Sequence, residues 1–308
     1  MFAEHADTEQ LAYNLGAFKP GDEIEITLKM HGTSQRTGYL PVLKGYKRSL
    51  WDKICKRDGT PIYDWGYVSG TRRTVLENFD GGYYGSNEFR EGHSKFFEGK
   101  LWKGETVYYE VVGFTHTGAP IMATADNKKM NDKDFIKQYG KETVFSYGCH
   151  PNGWNSKTGG YNSGRNEPQS DIYVYRMTMT NEDGDVVEYT PDFMRYRCEQ
   201  MGVKTVPMFA KVYIKEDAVL AHHSDGTVSG GSLPENTSIG EAVKMITEKY
   251  YDGPDPIGKT HIREGVVVRI LNRPKFCAYK HKNFAFKVLE GIIKDTATEP
   301  DMEEVQDA

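Results

Sequence analysis

The sequence has no apolar run long enough to cross a bilayer, and no N-terminal basic stretch followed by an apolar core. Neither a membrane span nor a secretion signal is therefore read from it, and a soluble, cytoplasmic protein is expected. Cysteine is scarce: Cys55, Cys149, Cys198 and Cys277 are scattered with no C-x-x-C pair. That spacing argues against a zinc or disulfide framework and fits reduced thiols. Positive charge is not in excess either, since 39 Lys and Arg face 44 Asp and Glu for a formal charge of -5. A nucleic-acid partner would have to be gripped by a local basic patch. No internal repeat or clear linker divides the 308 residues, of which 38% are hydrophobic, enough for a substantial core.

What is there reads mainly as strand. In "EIEITLKM" (23–30), Ile24, Ile26 and Leu28 alternate with Glu23, Glu25 and Thr27, which predicts a half-buried strand delivering Lys29 at its end. Residues 107–114, 171–180, 206–214, 263–270 and 283–290 are further β-branched and aromatic runs, expected as strands. Helical spacing appears mainly at 238–251, with a Ser238/Glu241 capping box, and a further helix is expected at "KDFIKQYG", closed by Gly140. Residues 146–170, rich in Gly, Asn and Ser, read as a long loop, and the acidic 291–308 as a frayed tail.

Chemistry gathers at a few charged positions. Lys29 stands three residues before Gly32 in "LKMHGTSQRTG", and a lysine near its ordinary pKa of about 10.4 is an inert ammonium at neutral pH. Nucleophilic use therefore demands cationic neighbours, burial or a metal. Glu110 and Glu264 each enter an apolar strand pattern, where a carboxylate is costly unless paired, hydrogen-bonded or metal-bound. Lys280 and Lys282, two apart in an extended segment, share one face and repel unless an anion such as a polyphosphate lies between them.

Taken in order, Lys29-Met-His31-Gly32-Thr33, Tyr109-Glu110-Val-Val-Gly113, Glu264-Gly265-Val-Val-Val and Lys280-His-Lys282-Asn283 resemble motifs I, III, IV and V of the covalent nucleotidyltransferases. The K-x-H-G-T and K-x-K-N forms are most similar to the RNA ligase 2-like branch of that superfamily, which includes RNA and DNA ligases and mRNA capping enzymes. The resemblance covers roughly residues 24–290. It implies an α+β nucleotidyltransferase domain of the ATP-grasping kind, with antiparallel sheets flanking a nucleotide cleft. It implies ATP-dependent RNA ligation in RNA repair: Lys29 takes AMP from ATP, passes it to an RNA 5′-phosphate, and a 3′-hydroxyl then displaces AMP.

By the same resemblance Lys280 and Lys282 hold phosphates, Glu264 binds Mg²⁺ (or Mn²⁺), and Glu110 contacts the ribose or anchors a metal water. Gly32 lets the backbone approach the nucleotide, and His31 touches phosphate or metal water. "YVSGTRRTV" resembles motif Ia and offers Arg72 or Arg73. "DIYVYRM" resembles motif IIIa and offers Tyr173 or, preferably, Tyr175 for stacking on adenine. The sequence departs from the branch at Leu28, where a glutamate is usual, which loosens the expectation of strict ATP use. Motifs III and IIIa are also separated by an added segment that contains the Gly/Asn-rich stretch near 146–170.

The implied organisation is an N-terminal segment (1–22), the nucleotidyltransferase domain (23–290) and the acidic tail (291–308), acting as a monomer. Residues 43–59 form the densest basic stretch, with Lys44, Lys47, Arg48, Lys53, Lys56 and Arg57 interleaved with Tyr46 and Trp51, a composition suited to RNA. His150 and the pair His222-His223 have no second pair at ligand spacing and read as surface or core residues. The rival readings are DNA ligation or GTP-dependent capping, capping being disfavoured because no OB domain follows motif V, and a nucleotide- or RNA-binding module without catalysis.

Overall fold

The structure is a computed structural model describing residues 2–85, 87–122, 129–142, 144–155, 160–161 and 167–290. The acidic tail and much of the Gly/Asn-rich stretch lie outside these residues. The chain opens with β1 (Glu9–Gln10), β2 (Glu23–Lys29), β3 (Thr33–Lys47), α1 (Leu50–Ile54), β4 (Thr60–Gly70), β5 (Val75–Leu76), α2 (Glu88–Phe96) and β6 (Glu105–Gly113). It continues with α3 (Lys133–Tyr139), β7 (Trp154–Asn155), β8 (Gly160–Tyr161), β9 (Ser170–Thr180), β10 (Val186–Glu188), α4 (Pro191–Met201) and β11 (Lys204–Thr205). The last elements are β12 (Met208–Ile214), β13 (Ala218–His223), β14 (Val228–Ser232), α5 (Ile239–Thr247), β15 (Gly265–Ile270), β16 (Cys277–Lys282) and α6 (Phe284–Leu289).

The fold is α+β with mostly antiparallel sheets. One sheet runs β1-β16-β15-β2-β12-β13-β14, the other β10-β9-β6-β3-β4-β5 with β11 beside β9. Among the described residues, only β1 on β16 and β11 on β9 pair in parallel. In the first sheet the even positions of β2 meet those of β15: Ile24, Ile26 and Leu28 pack with Val266, Val268, Ile270 and the α5 side chains Val243 and Ile246. Each such apolar side chain contributes roughly 1.5–3 kcal/mol by leaving water. The odd positions, Glu25, Thr27 and Lys29, face the second sheet instead and line the cleft. The second sheet has its own core under α2 and α4, built on Val107, Tyr109, Val111, Val174 and Met177.

Local chemistry accounts for the helix ends. The Ser238 hydroxyl accepts from the Glu241 N–H while the Glu241 carboxylate accepts from the Ser238 N–H, as the sequence spacing predicts. Asp132 caps α3, and Gly140 at φ 94° ends it. The run 283–290 is corrected: it is helix and not strand. Asn283 Oδ1 accepts from the Ala285 N–H, and Phe286 and Leu289, one turn apart, both bury. An aromatic-rich run of six residues carries both patterns, and here the cap and the one-sided core decide. The four cysteines are free, and among the described residues no helix is long and apolar enough to cross a membrane.

Candidate active site

Strand register assembles the first half of the site. β2 pairs with β15 and β15 with β16, so that Lys29, Gly265 and Lys282 stand abreast, as do Thr27, Val267 and Lys280 two positions back. Abreast residues share a face, so all three lysines lie on the same side of the sheet. Glu264, just before β15, is fully buried, with Oε1 2.8 Å from Lys29 Nζ and 3.3 Å from Lys282 Nζ. Burial pushes its carboxyl upward, but the Lys29 and Lys282 cations, with His31, outweigh that and hold it well below the ordinary carboxylate range.

Behind this pair lie His31 and Glu290. Lys282 Nζ is 3.3 Å from Glu290 Oε2, while His31 Nδ1 is 3.6 Å from Glu264 Oε2 and 4.0 Å from Glu290 Oε1. The His31 ring is buried edge-on against Phe145 and Phe286, and among the described residues neither of its nitrogens has a partner within 3.5 Å. The His31 backbone N–H donates to the Tyr147 hydroxyl at 2.8 Å, and burial raises that phenol well above its usual value. His31, Glu264 and Glu290 offer one donor atom each within 4.8 Å of one another, a set that fits a divalent cation.

The opposite wall comes from the second sheet. Glu110 on β6 accepts from the Ser34 hydroxyl at 3.3 Å, and Ser34 Oγ is also 3.3 Å from the Tyr175 hydroxyl. Arg90 on α2 fixes the start of β3 by donating to Thr33 Oγ1 (2.6 Å) and to the Ser34 carbonyl (2.8 Å). Tyr175 reaches the cleft through a register shift, because Tyr108 pairs with Arg176 but Tyr109 with Val174, leaving Tyr175 as the extra residue. Such bulges re-aim side chains. Burial, then Glu110, raises the Tyr175 phenol. Gly32 sits where a Cβ would lie 2.5 Å from the Val111 carbonyl oxygen and 2.8 Å from Glu110 Cγ, so the close approach of this turn to β6 requires glycine.

Arg72 is buried in the cleft wall and pairs with Asp7 at 2.9 Å, whereas Arg73 is half exposed and 3.6 Å from the other Asp7 oxygen. Arg36 donates to the Thr71 and Arg72 carbonyls and so fixes this turn. The N-terminal segment adds His5, whose ring packs edge-on against Tyr175 at 5.3 Å. Burial, then Arg72 and Arg176, pushes that imidazole well below its usual value. The far end of the cleft carries Arg195, paired with Glu25 at 2.7 Å, and Arg269.

The structure thus gathers Lys29, His31, Glu264 and Lys282 into one buried cluster, with Lys280 on the same sheet face. It sets Glu110, Tyr175 and Arg72 on the facing wall; Glu110 stands outside the His31/Glu264/Glu290 group, Tyr173 packs into the apolar core, and Arg73 points to solvent. Sequence reasoning missed Glu290, His5, Ser34, Arg195 and Arg269. Reading 283–290 as a helix would have placed Glu290 one to two turns beyond the Asn283 cap, near Lys282.

No family model matches the sequence, and no curated protein matches it. Among solved structures, the chain is similar to RNA ligase from Naegleria gruberi. A variant of that ligase with ATP and Mn has TM-score 0.46 and 13% identity, covering 94% of this chain and 58% of that chain. The same ligase with pyrophosphate has TM-score 0.45 and 13% identity, over 94% and 58%. A variant with AMP and Mn has TM-score 0.46 and 14% identity, over 93% and 57%. The present chain thus spans under three-fifths of the solved chains it matches.

Proposed function

We propose that the protein is an ATP-dependent RNA ligase working through a covalent lysyl-AMP. The observation that carries this reading is the buried Lys29–Glu264–Lys282 cluster, whose Lys29 lines a cleft that also presents Arg72, Glu110 and Tyr175. A structural ion pair needs neither a third cation, Arg72, on the facing wall nor an aromatic re-aimed by a bulge; a bound nucleotide uses both.

In the first step Lys29 releases its ammonium proton to solvent and the amine attacks the α-phosphorus of ATP, forming a P–N bond, giving up a second proton to solvent and expelling pyrophosphate. Lys282 and Lys280 neutralise the phosphates, because phosphoryl transfer is catalysed mainly by positioning and charge. The Glu264 carboxylate beside Lys29 favours its ammonium form, so offsetting that negative charge favours the attacking amine. A divalent cation held by Glu264 with Glu290 and His31 would offset it, and phosphate charge as well. Glu110 takes the ribose hydroxyls and Tyr175 stacks on the base. In the second step an oxygen of the RNA 5′-phosphate attacks the adduct phosphorus, the P–N bond breaks and the proton returns to Lys29. In the third the RNA 3′-hydroxyl gives up its proton to solvent and attacks the 5′-phosphorus, the P–O bond to AMP breaks and AMP leaves.

The test is transfer from isolated adduct. Protein loaded with labelled AMP, freed of ATP and mixed with 5′-phosphorylated RNA, should move the label to the RNA and release it as AMP on joining to a 3′-hydroxyl end. Transfer to 5′-phosphorylated DNA alone would assign DNA ligation. Return of the label only to pyrophosphate would remove polynucleotide joining from the reading.

A further inference from the structure

β3 and β4 run on together well beyond the rest of their sheet, pairing from Arg36/Gly70 out to Lys47/Thr60, with α1 in the connection at the tip. The register places Tyr39 opposite Tyr67, Pro41 opposite Trp65, Leu43 opposite Tyr63 and, past a bulge, Tyr46 opposite Pro61. Tyr39, Tyr46, Tyr63, Trp65 and Tyr67 therefore lie along one face of this arm. It is the face turned from the cleft, since Ser34 and Arg36 point the other way. Near the sheet the rings pack on one another, Tyr39 stacked on Tyr67 at 4.6 Å, and Lys103 Nζ lies 5.2 Å from the Trp65 ring. Toward the tip they open to solvent, Tyr46 and Tyr63 being about half exposed and Trp51 on α1 74% exposed beside Leu50 and Ile54.

The arm's charge is opposite to that of the chain. Residues 43–59 hold six basic and two acidic side chains in a protein of net charge -5. Arg48 is tied to Asp58, but Lys44, Lys47, Lys53, Lys56 and Arg57 are exposed and make no ion pair among the described residues. Solvated surfaces normally interleave charges of both signs. By the same register Lys47, and Lys44 with its Nζ near Gly66, lie on the opposite face, so a strand wrapped across this two-stranded arm meets unpaired cations on one side and exposed aromatic rings on the other, which is the equipment for a polyanion whose bases are free to stack.

We propose that this arm is a grip for single-stranded RNA, holding phosphates on its lysines and unpaired bases on Tyr46, Tyr63 and Trp51, away from the cleft. The proposal rests on the RNA-joining reading for the identity of the polyanion and deepens it by giving the substrate an unpaired segment. A base inside a duplex hides its faces, so the arm discriminates against duplex RNA.

Two double variants test this, Tyr46→Ala/Tyr63→Ala and Lys44→Glu/Lys47→Glu, all at exposed positions. Fluorescence anisotropy would follow a labelled single-stranded oligoribonucleotide and the same strand in duplex, beside adduct formation with labelled ATP and sedimentation. The expected result is a loss of single-strand affinity of roughly tenfold or more in each variant, with adduct formation unchanged. The lysine variant should also flatten the salt dependence by about one to two in slope. Unchanged single-strand affinity in both variants, equal losses on duplex, or a change only in self-association would each overturn the grip. If wild-type protein forms no adduct but its RNA affinity still depends on the arm, the grip stands and the ligase reading falls; adduct formation with arm-independent RNA affinity gives the reverse.

Discussion

Neither Lys29→Ala nor Lys29→Arg should form any covalent nucleotide adduct, a loss of at least about a thousandfold, because each lacks an amine able to attack phosphorus. Arginine keeps the charge beside Glu264 but stays protonated at any working pH, so it separates loss of the nucleophile from loss of the ion pair. The two variants should differ in stability. Lys29 is buried and 2.8 Å from a fully buried carboxylate, so alanine leaves Glu264 with only Lys282 and His31 beside it among the described residues and should lower the unfolding midpoint, while arginine should lower it less. Chemical denaturation and intact mass measured side by side check both statements. An adduct in either variant would remove Lys29 as the nucleophile.

The second large effect is expected at Glu264. Replacing it by glutamine leaves Lys29 and Lys282 side by side in a buried site, with Glu290 the one carboxylate of the cluster left beside Lys282. Breaking a buried pair in this way typically costs about 3–5 kcal/mol. Adduct formation should be lost as well, since the carboxylate that holds Lys29 and Lys282 in place and would bind the cation is gone. The wild type should show a matching pH dependence. Its Glu264 carboxyl is held below the ordinary value by Lys29 and Lys282, so the stabilisation is fully present above the unfolded pKa of about 4.3 and declines as pH falls below it. Urea unfolding from neutral to acid pH should therefore bring the wild-type and Glu264→Gln curves together at the acid end. A constant gap would mean that the carboxylate is not held by the lysines.

What the sequence made legible was strand content and the order of charged residues along it. The alternation Ile24-Ile26-Leu28 against Glu25-Thr27-Lys29 marks a strand with two different faces, and β2 has them. The side-by-side placement of Lys29 and Lys282 is a register fact spanning about 250 residues, which only the motif resemblance suggested in advance. The error at 283–290 came from composition, since Phe and Val favour strands while the Asn283 cap and the Phe286/Leu289 spacing say helix. Helix α4 was passed over because its buried stripe mixes Met194 and Cys198 with Arg197, whose guanidinium grips buried Glu105 at 2.8 Å. A buried charge interrupts an apolar pattern, although Thr190, Pro191 and Gly202 mark the ends of that helix plainly. Tyr175 shows a different gap. A bulge decides which of two tyrosines lines the cleft, and no periodicity records a bulge.

The central claim is that Lys29 is a nucleotide-accepting nucleophile. Its most direct test is incubation of the purified protein, stripped of bound nucleotide, with α-labelled ATP or GTP and Mg²⁺, followed by denaturing electrophoresis, intact mass and peptide mapping. A stable AMP adduct on the peptide containing Lys29 is the expected result. A GMP adduct at that lysine would keep the nucleophile and move the activity toward capping. No adduct with either nucleotide, in protein shown to be folded, would contradict the account and leave the Lys29–Glu264–Lys282 cluster as a buried ion pair of the fold.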